Sequence, residues 1–126
     1  MRTHVEFFVS DMERSLAFYR SLGFALLKHW QGWALLDREG ARIALQADAH
    51  ARSHPHYFTP NLDGPRGVGV EVAVEVSDLD AAFEAASAID GAVVKGITER
   101  SWGARDFRIA DPDGYFVRFT TPLKGE

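Results

Sequence analysis

Residues 4–24, HVEFFVSDMERSLAFYRSLGF, read as a strand running into a helix. Thr3 to Val9 is rich in β-branched and aromatic side chains and stops at Ser10-Asp11, residue types that open helices. Ser10 as N-cap with Glu13 three residues on makes a capping box. Apolar Met12, Leu16, Tyr19 and Leu22 then follow at helical spacing. Gly23 stands where a helix end favours a residue that tolerates positive φ. The same order returns later in the chain: Val68 to Val76 (VGVEVAVEV) alternates, and Ser77-Asp78 follows 67 positions after Ser10-Asp11. Leu79, Ala82, Phe83 and Ala86 then recur at helical spacing before Gly91.

Further extended runs follow each helix. In the first half they are Phe24 to His29, Gly32 to Asp37 and Arg42 to Gln46. In the second they are Ala92 to Lys95, Ala104 to Ala110 and Tyr115 to Thr121. Turns fall at Gln31-Gly32, Glu39-Gly40 and Asp113-Gly114. Each half therefore reads β-α-β-β-β, an α+β pattern. One helix cannot cover a four-stranded sheet by itself, so the two halves are expected to pack into one domain spanning 1–126. Module one covers about residues 1–50 and module two about 68–122. The connection from Ala47 to Gly67, with Pro55, Pro60 and Pro65, is expected to be irregular and long enough for a binding or lid role.

Composition sets the class. The chain has 126 residues, 46% hydrophobic and 25% charged, which fits one globular domain and excludes collagen-like and disordered chains. No apolar run is long enough to span a membrane, and MRTHVEFFVSD lacks the pattern of a secretory leader, so a cytoplasmic protein without a membrane partner is expected. Cysteine is absent, which removes disulfides, thiolate metal sites and a cysteine nucleophile. A net charge of −4 disfavours nucleic acid, and a cationic or neutral small ligand is easier to accommodate.

Strand alternation sorts the side chains into two faces. Val5, Phe7, Val9, Ile43, Leu45, Val70, Val72, Val74, Val76, Val117 and Phe119 are expected to pack under the helices. His4, Glu6, Phe8, Ala44, Gln46, Glu71, Glu75, Phe116 and Arg118 then share the opposite face. Apolar walls with a few polar groups suit a concave ligand site, although a merely solvated sheet face carries the same pattern.

Other chemistry finds little support. His50, His54 and His56 beside Asp48 form a local group without the spacing of a four-ligand metal site. There is no G-x-S-x-G elbow, no P-loop and no dinucleotide-binding glycine motif. Acid–base work by His4 with Glu6 or Glu71 competes with a plain hydrogen bond between His4 and Glu71.

HVEFFVSDMERSLAFYRSLGF, VAVEVSDLDAAFEAA (72–86) and DPDGYFVRFTTP (111–122) together resemble the vicinal oxygen chelate superfamily of glyoxalase I, extradiol dioxygenases and bleomycin resistance proteins. The resemblance implies that the paired modules curl into a half-open barrel with a concave ligand cavity. Metal-dependent members place their ligands at the positions of His4, Ala44, Glu71 and Arg118. Only His4 and Glu71 can ligate, since Ala44 donates nothing and arginine stays protonated. A salt bridge between Glu71 and Arg118 is expected in place of a metal.

QGWALLDREGARIAL (31–45) and SWGARDFRIADPDGYFVRF (101–119) resemble the bleomycin resistance branch. Its members are homodimers that sequester a drug at the subunit interface without turnover, and they act in antibiotic resistance. The resemblance thus implies a metal-free, homodimeric small-molecule-binding protein for a planar or cationic compound such as an antibiotic. Its ligand-binding residues would be His4, Glu6, Phe8, Trp33, Gln46, Glu71, Glu75, Trp102, Phe116 and Arg118. Trp102 and Trp33 stack on a planar ligand in this reading, or simply pack beside their turns. The alternative is an enzyme: a divalent-metal-dependent glyoxalase- or dioxygenase-like lyase, isomerase or oxygenase with His4 and Glu71 as metal ligands.

Overall fold

In the computed structural model, residues 2–54 and 59–122 are described. β1 (Val5–Val9) leads into α1 (Met12–Ser21). β2 (Ala25–Trp30), β3 (Trp33–Arg38) and β4 (Ala41–Ala47) complete the first sheet, in the order β1-β4-β3-β2. β5 (Glu71–Glu75), α3 (Leu79–Ser87), β6 (Val93–Glu99), β7 (Arg105–Ala110) and β8 (Phe116–Thr120) repeat that plan, with order β5-β8-β7-β6. In each sheet the first strand runs parallel to the last, Val5 opposite Ile43 and Glu71 opposite Phe116, and the remaining pairs are antiparallel. The helix crossover makes the parallel pair possible, because parallel neighbours need a long connection. The expected α+β duplication is what the chain adopts.

The helix α1 begins one residue later than the sequence suggests. Asp11, not Ser10, is the N-cap of α1, accepting the Arg14 N–H at 3.1 Å, and Asp78 caps α3 through the Ala81 N–H at 3.0 Å. Ser10 is engaged elsewhere: its hydroxyl donates to Asp113 at 2.7 Å. Alternation holds within the strands, so Phe7, Val9, Ile43, Leu45, Val74, Val117 and Phe119 are buried. Val70 departs from it and is exposed, because β5 starts only at Glu71 and Gly69 turns the chain at φ +76° just before.

One core joins both modules, with Leu16, Phe18 and Tyr19 of α1 meeting Val74, Ile109 and Phe119 of the second sheet in the same apolar cluster. Phe7 stacks on Tyr115 across the junction with ring centroids 4.2 Å apart. Each large side chain buried there contributes roughly 1.5–3 kcal/mol.

The connection between modules is less irregular than expected. Residues 48–53 form α2 (Asp48–Ser53) and Thr59–Asp63 a 3₁₀ turn. Alanines 49 and 51 favour the helix, and Ala51 packs with Leu62 against Phe8. Pro55 and His56, like the tail from Leu123 to Glu126, lie outside the described residues.

Candidate functional site

The polar faces of the two sheets each gather one group of the expected site residues. On the first sheet, Glu6 of β1 accepts the Trp33 indole N–H at 2.8 Å. The two lie on the strands flanking β4, with Glu6 opposite Ala44 and Trp33 opposite Gln46, so the bond crosses β4 where Ala44 is fully buried. A small side chain at 44 leaves room for that crossing. Gln46 approaches His50 Nδ1 at 3.5 Å, and Trp33 tilts against Trp30 at 5.7 Å between centroids. Phe8 is buried beneath Ala51 and Leu62, so its ring is a wall covered by α2 rather than an open stacking surface.

On the second sheet the expected salt bridge is present. Arg118 Nε meets Glu71 at 3.1 Å. The sequence reading missed its company: Arg108 Nε holds the other carboxylate oxygen of Glu71 at 2.6 Å, and Arg118 Nη1 reaches Asp106 at 3.3 Å. Arg100 clasps Asp106 through both Nε and Nη2. Alternation along β7 carries the missing signal, because RDFRIA puts Asp106 and Arg108 on the face opposite Phe107 and Ile109. Burial alone would raise the Glu71 carboxyl, but the hydrogen bonds and charges of Arg108 and Arg118 outweigh it and hold the group below the usual carboxylate range. Asp106 behaves alike, with Arg100 its principal partner.

Glu75 shares this face two repeats along β5, and Phe116 sits opposite Glu71 on β8 with its ring partly exposed. Trp102, in the turn between β6 and β7, is 59% exposed and has the Arg100 guanidinium 6.0 Å from its ring centre. His4 precedes β1 and is exposed, and the Glu71 carboxylate is taken by arginines rather than by His4.

Between the sheets, β1 and the segment from Asn61 to Val70 enclose a cavity of about 310 Å³, walled by Phe8, Leu62, Val68, Val70 and Tyr115 with Glu6 at its side. Arg66 anchors that segment. It bonds Asp48 bidentately, at 3.0 and 2.5 Å, and the carbonyls of Phe8 and Leu62 at 2.9 and 2.7 Å. Tyr115 Oη also donates to the Phe8 carbonyl at 2.9 Å.

The family model for the glyoxalase/bleomycin resistance protein/dioxygenase superfamily matches residues 2–119. The chain belongs to that superfamily. Among curated relatives, the bleomycin resistance protein of Geobacillus stearothermophilus is 28% identical over 92% of each chain, and that of Staphylococcus aureus matches equally. The superfamily fold recurs in a glyoxalase/bleomycin resistance protein/dioxygenase family enzyme from Burkholderia phytofirmans, with TM-score 0.76 and 18% identity over 94% of this chain and 95% of that one. A bleomycin-binding protein complexed with bleomycin superposes with TM-score 0.70 and 21% identity, covering 97% and 98%.

The four positions that carry metal ligands in other members of the superfamily do not fit a divalent cation here. Ala44 has no donor, Arg118 is a fixed positive charge, and Glu71 already serves two guanidiniums. Among the described residues no group of three or more histidine and carboxylate side chains gathers elsewhere to hold a metal.

Proposed function

We propose that this protein binds and sequesters a planar aromatic small molecule, without metal and without turnover, as a member of the superfamily akin to the bleomycin resistance proteins. One observation carries the reading: aromatic rings stand exposed on or beside the polar sheet faces, Trp30 at 66%, Trp102 at 59% and Phe116 at 41%, while Phe7, Val9, Ile43, Phe107 and Val117 on the helix-side faces are buried. Such rings bordered by charged groups offer stacking surface with orientation supplied by their neighbours. The planar half of the expected ligand chemistry gains support over the cationic half, because Glu6 and Glu71 already have partners.

The proposal includes a homodimer. β2 is an edge strand exposed along nearly its whole length, including Leu27 and Trp30, and a second copy laid against the open faces would cover them and close the ligand crevice. Light scattering on the purified protein tests the stoichiometry.

The binding claim is tested by titrating bleomycin and a panel of planar aromatic compounds while following tryptophan fluorescence and the melting temperature. Saturable quenching with a rise in melting temperature is expected for at least one compound. No response in either signal across the panel would reject the reading.

A further inference from the structure

The charge pattern on the second sheet narrows the ligand, and this step rests on the sequestration reading. Three guanidiniums, Arg100, Arg108 and Arg118, share two carboxylates, Glu71 and Asp106. Lys95, opposite Arg108 on β6, and Glu75 on β5 belong to the same face and offset each other, leaving one positive charge in surplus among the described residues. The layering sharpens this. Asp106 is only 1% exposed and lies under the arginines, whose side chains remain 22–33% exposed.

Donors also outnumber acceptors. Nη1 of Arg100, Nη1 of Arg108 and Nη2 of Arg118 have no hydrogen-bond partner among the described residues, while the Asp106 carboxylate already accepts from two arginines. Guanidinium groups with free terminal N–H bonds match a planar oxyanion. Phe116 lies two residues from Arg118 along β8, and Trp102 borders Arg100, so aromatic surface flanks the cluster on both sides.

We infer that the ligand is a planar aromatic acid, its ring against Phe116 or Trp102 and its anionic group on the outward N–H bonds of Arg108 and Arg118. Such an arrangement selects against a cationic ligand of the same shape. The negative charge of the chain as a whole does not predict this, because the surplus on this face is local.

The test uses three isosteric probes on the full-length protein: naphthoate, its neutral carboxamide and the naphthylmethylammonium cation. Naphthoate is expected to bind at least about tenfold tighter than the carboxamide, with affinity falling as salt is raised. Arg108→Gln, which leaves Glu71 its bond to Arg118, should remove most of that preference while the circular dichroism spectrum is retained. Lys95→Gln, which disturbs neither carboxylate, should weaken naphthoate by a smaller factor. Equal binding of acid and amide, or tighter binding of the cation, overturns the inference and leaves sequestration standing. Failure of all three probes while a compound of the earlier panel binds also overturns it. Failure of every compound removes both readings.

Discussion

Asp113, in the turn between β7 and β8, accepts both the backbone N–H of Ser10 at 3.2 Å and its hydroxyl at 2.7 Å. The bond joins the two modules across 103 residues, and it has a counterpart: Glu39, in the turn between β3 and β4, accepts the backbone N–H of Ser77 at 3.2 Å. Each module thus lends a turn carboxylate to the point where the other module's first strand passes into its helix. A carboxylate there also meets the positive end of the helix dipole. The duplication read from Ser10-Asp11 and Ser77-Asp78 is therefore also a reciprocal clasp.

The two halves of the clasp differ in weight. Asp113 is 6% exposed and also faces Arg66 at 3.8 Å, whereas Glu39 is 39% exposed and is shared with Arg38. Asp113→Ala should cost about 1.5–3 kcal/mol, and Glu39→Ala less than about 1 kcal/mol. Urea unfolding of the two variants measures both, and equal losses would contradict the assignment.

Tyr19 and Asp111 form a second junction contact with its own pH signature. The Tyr19 hydroxyl donates to Asp111 at 2.7 Å in the buried interior, and burial pushes the Asp111 carboxyl above its ordinary value despite that bond. A raised folded pKa favours folding below the unfolded pKa of about 4, and that contribution is lost as pH rises through the folded value. Removing the hydroxyl hurts most where Asp111 is ionised. Tyr19→Phe should therefore cost about 1–3 kcal/mol near neutrality and distinctly less at acid pH. Melting temperatures of both proteins from mildly acid to neutral pH should diverge as pH rises, and parallel curves would refute the account.

Arg118 bears on carboxylates shifted the other way, yet the loss on its removal is likewise largest near neutral pH. Glu71 and Asp106 are both held below the carboxylate range, so their contribution is present above about pH 4 and lost as pH falls through their folded values. Arg118 touches both carboxylates. Arg118→Gln should cost about 1 kcal/mol at neutral pH, with the difference closing in acid. The measurement is the pH profile of the melting temperature for the two proteins.

These contacts show what a sequence discloses and what it hides. The duplication was legible because hydrophobic period and cap residues repeat along the chain, and the Glu71–Arg118 pair because both sit on strands whose alternation is unbroken. Arg108 and Asp106 were equally readable in alternation, whereas Arg100 lies in the turn after β6, where no strand alternation assigns it a face. Asp11 displaced Ser10 as N-cap because Asp113, remote in sequence, claims the serine hydroxyl. The burial of Phe8 depends on α2, a helix of six residues amid prolines whose fold follows from Ala51 finding an apolar partner. Propensity alone is too weak to fix so short a helix.

The seating of α2 makes the last prediction. Gly32, in the turn between β2 and β3, has φ +72°, and a Cβ placed there would stand 2.5 Å from the Cβ of His50. Gly32→Ala therefore pays twice. The left-handed backbone costs an alanine about 1–2 kcal/mol, and His50 must withdraw, lifting α2 from Phe8. The two terms separate in a double-mutant cycle, because His50→Gly removes the clashing atom but leaves the backbone cost in place. Gly32→Ala should destabilise by more in the natural background than beside His50→Gly, by at least about 1 kcal/mol. Denaturant unfolding of the four proteins gives the coupling. Strict additivity would mean that α2 does not rest on the turn, and Phe8 would then be covered by some other means.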